Sequence, residues 1–302
     1  MAVRVLMFQL KVRQQRDWQR SWVEYADVAP MMAHCFEIAR RHQPDLVVFP
    51  ETCYIAALDG EYRKLAQHSV VVAGSAYNAQ SVNETHLYLP DGEHRVLPKL
   101  FPSPWEIMEL NHPNQQVPDQ VIARWEAGIR RGEWPPYFPV VDKASGKRLA
   151  ILNCMDYYRL GYYVGNSSLI SPHVWGMVSP CSNTQQSVFF RLSEVIHDTN
   201  ERIYSIVVNS HNEARAPGSS QGESYVMGPI TYNVKKMLEG QGQGKSRENG
   251  HFSFIYQLES EPEALMMDLI DGSDVRFFAR SKDFYSNPTG ITRIKLEGQG
   301  HG

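Results

Sequence analysis

The chain has little cysteine for its length: four residues in 302, Cys35, Cys53, Cys154 and Cys181, with no CxxC pair among them. This excludes a zinc ribbon or finger as the organising element, and no metal is expected. In a chain of this size the four cysteines read as free thiols rather than as a disulfide framework. No apolar run approaches the ~18 residues of a spanning helix, so no membrane partner is expected. The start, MAVRVLMFQL, is followed at once by KVRQQR. A secretory signal would put its charges before a longer apolar run and close it with small residues, so the simplest reading is cytoplasmic. Charge of one sign is also missing. The formal net charge is -3 and no basic stripe stands out, which excludes nucleic acid as an expected partner.

The composition otherwise suits a packed protein. Hydrophobic residues make up 42% of the chain, enough for one large core. Residues 3–10 read as a first strand. Residues 28–40 place Val28, Met31, Met32, Cys35, Ile38 and Ala39 on one helical stripe. Short, continuous apolar runs at 45–50, 70–73, 149–153, 174–178 and 203–208 fit strands buried on both faces. Pro90-Asp91-Gly92 is turn chemistry between strands at 86–89 and 95–97. Residues 184–200 read as a helix, and 252–257 and 265–270 as late strands. Strands joined partly by helices and partly by hairpins predict an α/β protein with mixed sheets.

Two stretches fall outside that rhythm. Residues 107–136 are rich in Asn, Gln, Pro and Trp, with a possible helix at 121–131. They are read as an irregular insertion near the active site, either a lid that sets substrate choice or a surface excursion that packs against a neighbouring subunit. The end, residues 291–302, is read as a flexible Gly-rich tail after a single domain spanning 1–290.

Three residues carry candidate chemistry. Cys154 follows the buried run 149–153, and a nucleophile at a strand exit is presented beside backbone N–H groups that can face an oxyanion. Glu51 closes another buried run, directly after Pro50, at the kind of sheet edge where α/β proteins bind ligands. Lys99 stands among Leu, Phe, Pro and Trp, where a lysine is less freely solvated than usual. Near a thiolate it would favour the anion, and near a tetrahedral intermediate it would donate to the oxyanion. No histidine sits in a context that marks it as a partner for Cys154.

With these residues in view, the sequence resembles the nitrilase, or carbon–nitrogen hydrolase, superfamily. Glu, Lys and Cys stand in the same chain order. Glu51 closes Val48-Phe49-Pro50-Glu51, and Lys99 opens Lys99-Leu-Phe-Pro-Ser-Pro-Trp-Glu106 with its second glutamate. An acid, Asp156, follows Cys154 by two. Further likeness lies in Val174-Trp-Gly-Met-Val-Ser-Pro-Cys-Ser-Asn183, in the helix-to-strand segment ending at Asn209, and in Gly222-Glu-Ser-Tyr-Val-Met-Gly-Pro229. It continues into the last strand and a closing segment with Arg276 and Arg280.

The resemblance implies a four-layer αββα sandwich of two mixed sheets, and a hydrolase of a small non-peptide amide or carbamoyl compound that needs no cofactor. Glu51, Lys99 and Cys154 would be catalytic. Glu106 would support them, and the Met155 backbone N–H would help hold the oxyanion. Tyr54, Trp105, His112, Tyr157 and Asn183 are candidate substrate contacts. The resemblance also implies a homodimer or higher homo-oligomer, to which the aromatic segment Phe277, Phe278, Phe284 and Tyr285 could contribute. Departures are a long gap between Lys99 and Cys154, an arginine, Arg159, one place later than the family's, and Met155-Asp156 where true nitrilases carry Trp-Glu. The last favours amide over nitrile. Nitrilase chemistry, acyl transfer on the same triad, and a non-catalytic binding protein remain the alternatives.

Overall fold

The computed structural model describes residues 2–17, 20–110, 116–142, 145–183, 186–200, 202–212, 222–229, 244–246, 252–258, 262–270 and 287–296. The apolar runs form the strands. β1 (Ala2–Gln9), β2 (Leu46–Val48), β3 (Val70–Tyr77), β4 (Asn83–Tyr88) and β5 (His94–Pro98) belong to a first sheet. β6 (Val140–Asp142), β7 (Lys147–Ile151), β8 (Val174–Cys181), β9 (Tyr204–Asn209), β10 (Tyr225–Pro229), β11 (Gly244–Ser246) and β12 (Phe252–Gln257) make a second. β13 (Glu263–Ile270) and β14 (Thr289–Lys295) return to the first. The first sheet runs β14-β13-β1-β2-β3-β4-β5, and the second β11-β12-β10-β9-β8-β7-β6.

Each sheet has three parallel strands at its centre, β1-β2-β3 in one and β7-β8-β9 in the other, flanked by antiparallel neighbours. Such strands are buried on both faces, and their alternation sorts side chains into two apolar clusters. Val5, Met7, Leu46, Val48, Val70 and Val72 join the second sheet in a central core. Their neighbours Leu6, Phe8, Val47, Phe49, Val71 and Ala73 pack instead with Met32, Cys35 and Phe36 of α1 (Tyr25–His42) and Tyr62 of α2 (Asp59–Leu65). On the far side, α5 (Met155–Asn166) and α6 (Gln186–Thr199) cover the second sheet, and Tyr157 of α5 donates to Ser205 of β9 at 2.9 Å. The layers are helix, sheet, sheet, helix, as expected.

Two expectations are corrected. Residues 107–136 are not irregular where described: α3 (Pro104–Leu110) enters the stretch, and α4 (Pro118–Arg130) fills its middle, where a helix at 121–131 was expected. Val121, Ile122 and Trp125 form a short buried stripe between charged residues, and Trp125 packs on Tyr137 and Phe138. The chain end is not tail-like from residue 291. β14 pairs along β13, Arg293 binds Glu263, and Leu296 is 2% exposed. An edge strand needs only one apolar face, so its polar alternation hides it. The segment with Arg276, Phe277, Phe278, Arg280, Phe284 and Tyr285 lies outside the described residues, as does 297–302. Among the described residues no helix is long and apolar enough to cross a membrane.

Candidate active site

The two central strand sets deliver their C-terminal ends to one place. After β2 the chain turns sharply through Phe49-Pro50-Glu51-Thr52. Thr52 takes a positive φ of 60° and its N–H donates to Ser75 Oγ at 3.0 Å. Gly74 makes the turn possible, because a Cβ there would lie 2.3 Å from the Pro50 carbonyl oxygen. After β7, Cys154 sits at φ 47°, ψ -101°, a strained conformation for a non-glycine residue, and serves as the N-cap of α5. Its N–H donates to the Pro180 carbonyl of β8 at 3.0 Å, so the neighbouring strand holds the strained turn in place.

Lys99 is the electrostatic centre. Its Nζ donates to Glu51 Oε1 at 2.7 Å and to Glu106 Oε2 at 2.9 Å, with all three side chains at most 5% exposed. Asn83 Nδ2 also donates to Glu51 Oε1, at 2.8 Å, and the Ser182 backbone N–H donates to Oε2 at 3.0 Å. Glu106 is held by Tyr77 Oη at 2.8 Å and by the Ser103 N–H. Burial disfavours the lysine cation, but Glu106 and then Glu51 outweigh it, and its pKa rises well above the ordinary value. Burial likewise works against ionised Glu106, yet Lys99 and its hydrogen bonds keep its pKa below the usual range. One ammonium thus sits between two buried carboxylates.

The Cys154 thiol is pushed the other way. A hydrogen bond with Cys181, burial and the Glu51 carboxylate all raise its pKa well above that of a free thiol, with Lys99 opposing. It rests as a thiol and needs a base to become a nucleophile. The first N–H groups of α5, Met155 among them, have no carbonyl within the helix to bond and stand at its positive end. Glu51, Lys99, Cys154 and Met155 line one cavity of about 730 Å³.

No family model matches the sequence, and no curated protein matches it. Solved structures share the fold. A CN-hydrolase superfamily protein from Xanthomonas campestris aligns with a TM-score of 0.57 at 13% identity, over 94% of this chain and 98% of that one. A branch 10 nitrilase-superfamily protein from Saccharomyces cerevisiae aligns with a TM-score of 0.51 at 15% identity, over 95% and 96%. A nitrilase-superfamily amidase from Nesterenkonia, solved as a mutant, aligns with a TM-score of 0.52 at 16% identity, over 92% and 95%. This chain has the carbon–nitrogen hydrolase fold.

Within that fold the expected contact residues divide. Trp105 and Asn183 line the cavity. Tyr54 and Tyr157 do not. Tyr54 stacks on His86 and Tyr62 with its hydroxyl 3.2 Å from that of Tyr88, and Tyr157 is fully buried against Ser193 and Ser205. Adjacent positions point apart. On α5, Met155, Tyr158 and Arg159 face the cavity while Tyr157 faces the sheet. His112 lies outside the described residues. None of the described residues of 107–136 lines the cavity, and α4 packs its apolar stripe into the core; residues 111–115, where the polar contacts of a lid would fall, lie outside the described residues.

The wall is built by residues that sequence reasoning passed over. Gln14, Arg16 and Ser21 come from a small ribbon, Gln14–Arg16 paired with Ser21–Val23. Thr52 follows Glu51, Tyr77 donates to Glu106, and the Ser182 N–H donates to Glu51. Among the described residues no group of three His, Cys, Asp or Glu could hold a metal.

Asp156 ties the two halves together. Its Oδ1 accepts from the backbone N–H groups of Leu100 at 2.9 Å and Phe101 at 2.7 Å, pinning the Lys99 loop to the nucleophile's helix. Burial raises its pKa from 3.8 to about 8 despite those two donors. Such a group holds its proton more tightly when folded, so its contribution to stability is lost as pH rises from about 4 to about 8. Asp156→Asn keeps the acceptor and removes the titration. Urea unfolding should show a flatter stability-against-pH curve across that window. A slope equal to wild type would contradict the assignment.

Proposed function

We propose that the protein is a cysteine hydrolase that cleaves a C–N bond other than a peptide bond in a small amide or carbamoyl compound, with Glu51, Lys99 and Cys154 as its catalytic triad. The observation that carries this reading is the convergence of the strained Cys154 turn with the buried Glu51–Lys99 pair on one cavity wall. The amidase among the structural neighbours supports amide over nitrile.

Glu51 takes the thiol proton and the sulfur attacks the carbonyl carbon. Lys99 Nζ and the Met155 N–H stabilise the oxyanion, each donor worth about 3–4 kcal/mol by analogy with a protease. Glu51 returns the proton to the leaving nitrogen, releasing ammonia or an amine and leaving a thioester on Cys154. Glu51 then activates water, which adds to the thioester and frees the acid. Glu106 and Asn83 hold Lys99 and Glu51 in position. A panel of amides, ureas and nitriles assayed for ammonia release tests the reading, with mass spectrometry of the trapped thioester. Nitrile turnover without amide turnover would overturn the substrate class. No turnover of any member would leave the binding-protein alternative.

We read the location as cytoplasmic, because all four cysteines are free and buried. We also read the protein as a homo-oligomer. Tyr158, Tyr162 and Tyr163 of α5 and Val195 of α6 are 37–47% exposed. Gly161 and Gly165 let the two helices close on Ile196, and Tyr158 and Tyr162, one turn apart on α5, stay exposed beside that pair. Light scattering at micromolar concentration should give at least a dimeric mass, and Tyr162→Asp should shift it toward the monomer. A monomeric wild type would refute the assembly.

A further inference from the structure

The hydrolase reading leaves open what the substrate carries besides its amide. The charge on the cavity wall addresses this. Lys99 is spent on Glu51 and Glu106. Among the described residues the remaining charged lining residues are Arg16 and Arg159, and Glu51 is the one carboxylate in the wall. Several exposed arginines elsewhere find acids, Arg40 with Glu61, Arg63 with Asp59, Arg95 with Glu93 and Arg131 with Glu133, while others such as Arg13, Arg124 and Arg202 stay solvated. Arg16 and Arg159 have no such partner among the described residues. Each lies instead over an aromatic ring, Arg16 at 5.0 Å from the centroid of Trp105 and Arg159 at 5.9 Å from that of Tyr158. A ring face orients a guanidinium without neutralising it.

The ribbon that carries Arg16 is itself fixed to the site. Gln14 Nε2 donates to Thr52 Oγ1 and, at 2.7 Å, to Ser182 Oγ, the residues next to Glu51 and Cys181. On the paired strand, Ser21 lines the same cavity at 4% exposure, and its hydroxyl has no hydrogen-bond partner. A buried hydroxyl of this kind is costly to leave unpaired and points to a ligand atom that it meets.

We propose that the substrate is an amide that also bears a carboxylate, and that Arg16, with Arg159 and the Ser21 hydroxyl, forms the subsite that binds it. A planar guanidinium fork matches a carboxylate with two parallel hydrogen bonds. The inference rests on the hydrolase reading for the reacting end of the substrate and on the ribbon for the other end.

The test uses two probes of one length, the monoamide of glutaric acid and its neutral diamide, with glutarate itself as a non-reacting ligand. The wild type should show kcat/KM at least about tenfold higher for the monoamide, as expected for a charge-assisted contact. In Arg16→Gln the ratio should fall toward one, mainly through KM, and Arg16→Lys should restore part of it. Calorimetry at low salt should show glutarate binding to wild type and at least about tenfold weaker binding to Arg16→Gln. Thermal unfolding of each variant controls for folding. Equal use of the two amides by wild type, or a preference that survives Arg16→Gln, overturns the subsite, as does an absence of glutarate binding. If neither amide turns over while glutarate binding still depends on Arg16, the anion subsite stands and the hydrolase reading fails.

Discussion

Cys154→Ala is expected to fold and to lose turnover by at least about 10⁴-fold in kcat, as losing the nucleophile does in well-studied covalent enzymes. In the proposed scheme every step after binding passes through the Cys154 sulfur, so no neighbouring group can substitute. Cys181 shares a hydrogen bond with it but is fully buried and absent from the cavity wall. The fold should tolerate the change, because the Cys154 turn is held by backbone bonds from Cys154 N–H to Pro180 and from Tyr158 N–H to the Cys154 carbonyl. The check is ammonia release on the best amide, with circular dichroism as the folding control. A variant within tenfold of wild type would sink the mechanism. Cys35→Ala gives the contrast. Cys35 is fully buried on α1 in the apolar layer against the first sheet. Its loss should cost stability, about 1–2 kcal/mol for a small cavity, and leave turnover near wild type.

Lys99→Met should damage both activity and stability. Removing the ammonium leaves Glu51 and Glu106 buried together without their shared cation. Breaking a buried pair by deleting one partner costs about 3–5 kcal/mol, and losing an oxyanion donor costs about 10²–10³ in kcat. The pH signature separates this from simple loss of packing. Without Lys99 the two carboxylates cannot both ionise easily, so at least one pKa rises in the folded state. A raised carboxylate pKa means stability that declines as pH rises past the ordinary carboxylate range. Urea unfolding of Lys99→Met should therefore show a loss relative to wild type that grows from acid toward neutral pH. Adding Glu106→Gln should recover part of the stability at neutral pH and none of the activity. If Lys99→Met is as stable as wild type at neutral pH, the charge cluster does not operate as described.

Much of this protein was legible along the chain because its signals are local. Runs such as Leu46–Val48 and Val174–Cys181 report strands buried on both faces, and Val28, Met32 and Cys35 report one face of a helix, since each pattern depends only on backbone period. Glu51 and Cys154 were legible because each directly follows a buried run, and Lys99 because its apolar neighbours are unusual for a lysine. What only the tertiary structure decided is everything that depends on chain segments meeting. Glu51 and Lys99 are 48 residues apart, yet they share a proton-bearing contact inside a wall completed by Asn83 and by Ser182, 131 residues beyond Glu51. Tyr54 and Tyr157 adjoin the triad in sequence and turn away from it, because consecutive side chains on a strand exit or a helix face different layers. Nothing local marks Arg16, because what places it is the docking of its ribbon on Thr52 and Ser182. β14 was hidden for a related reason: one short apolar face is enough when the partner surface already exists, and that surface is made by residues far away in the chain. Period and local context therefore set the elements and the reacting groups, while long-range packing set the cavity, its charge and which neighbours face it.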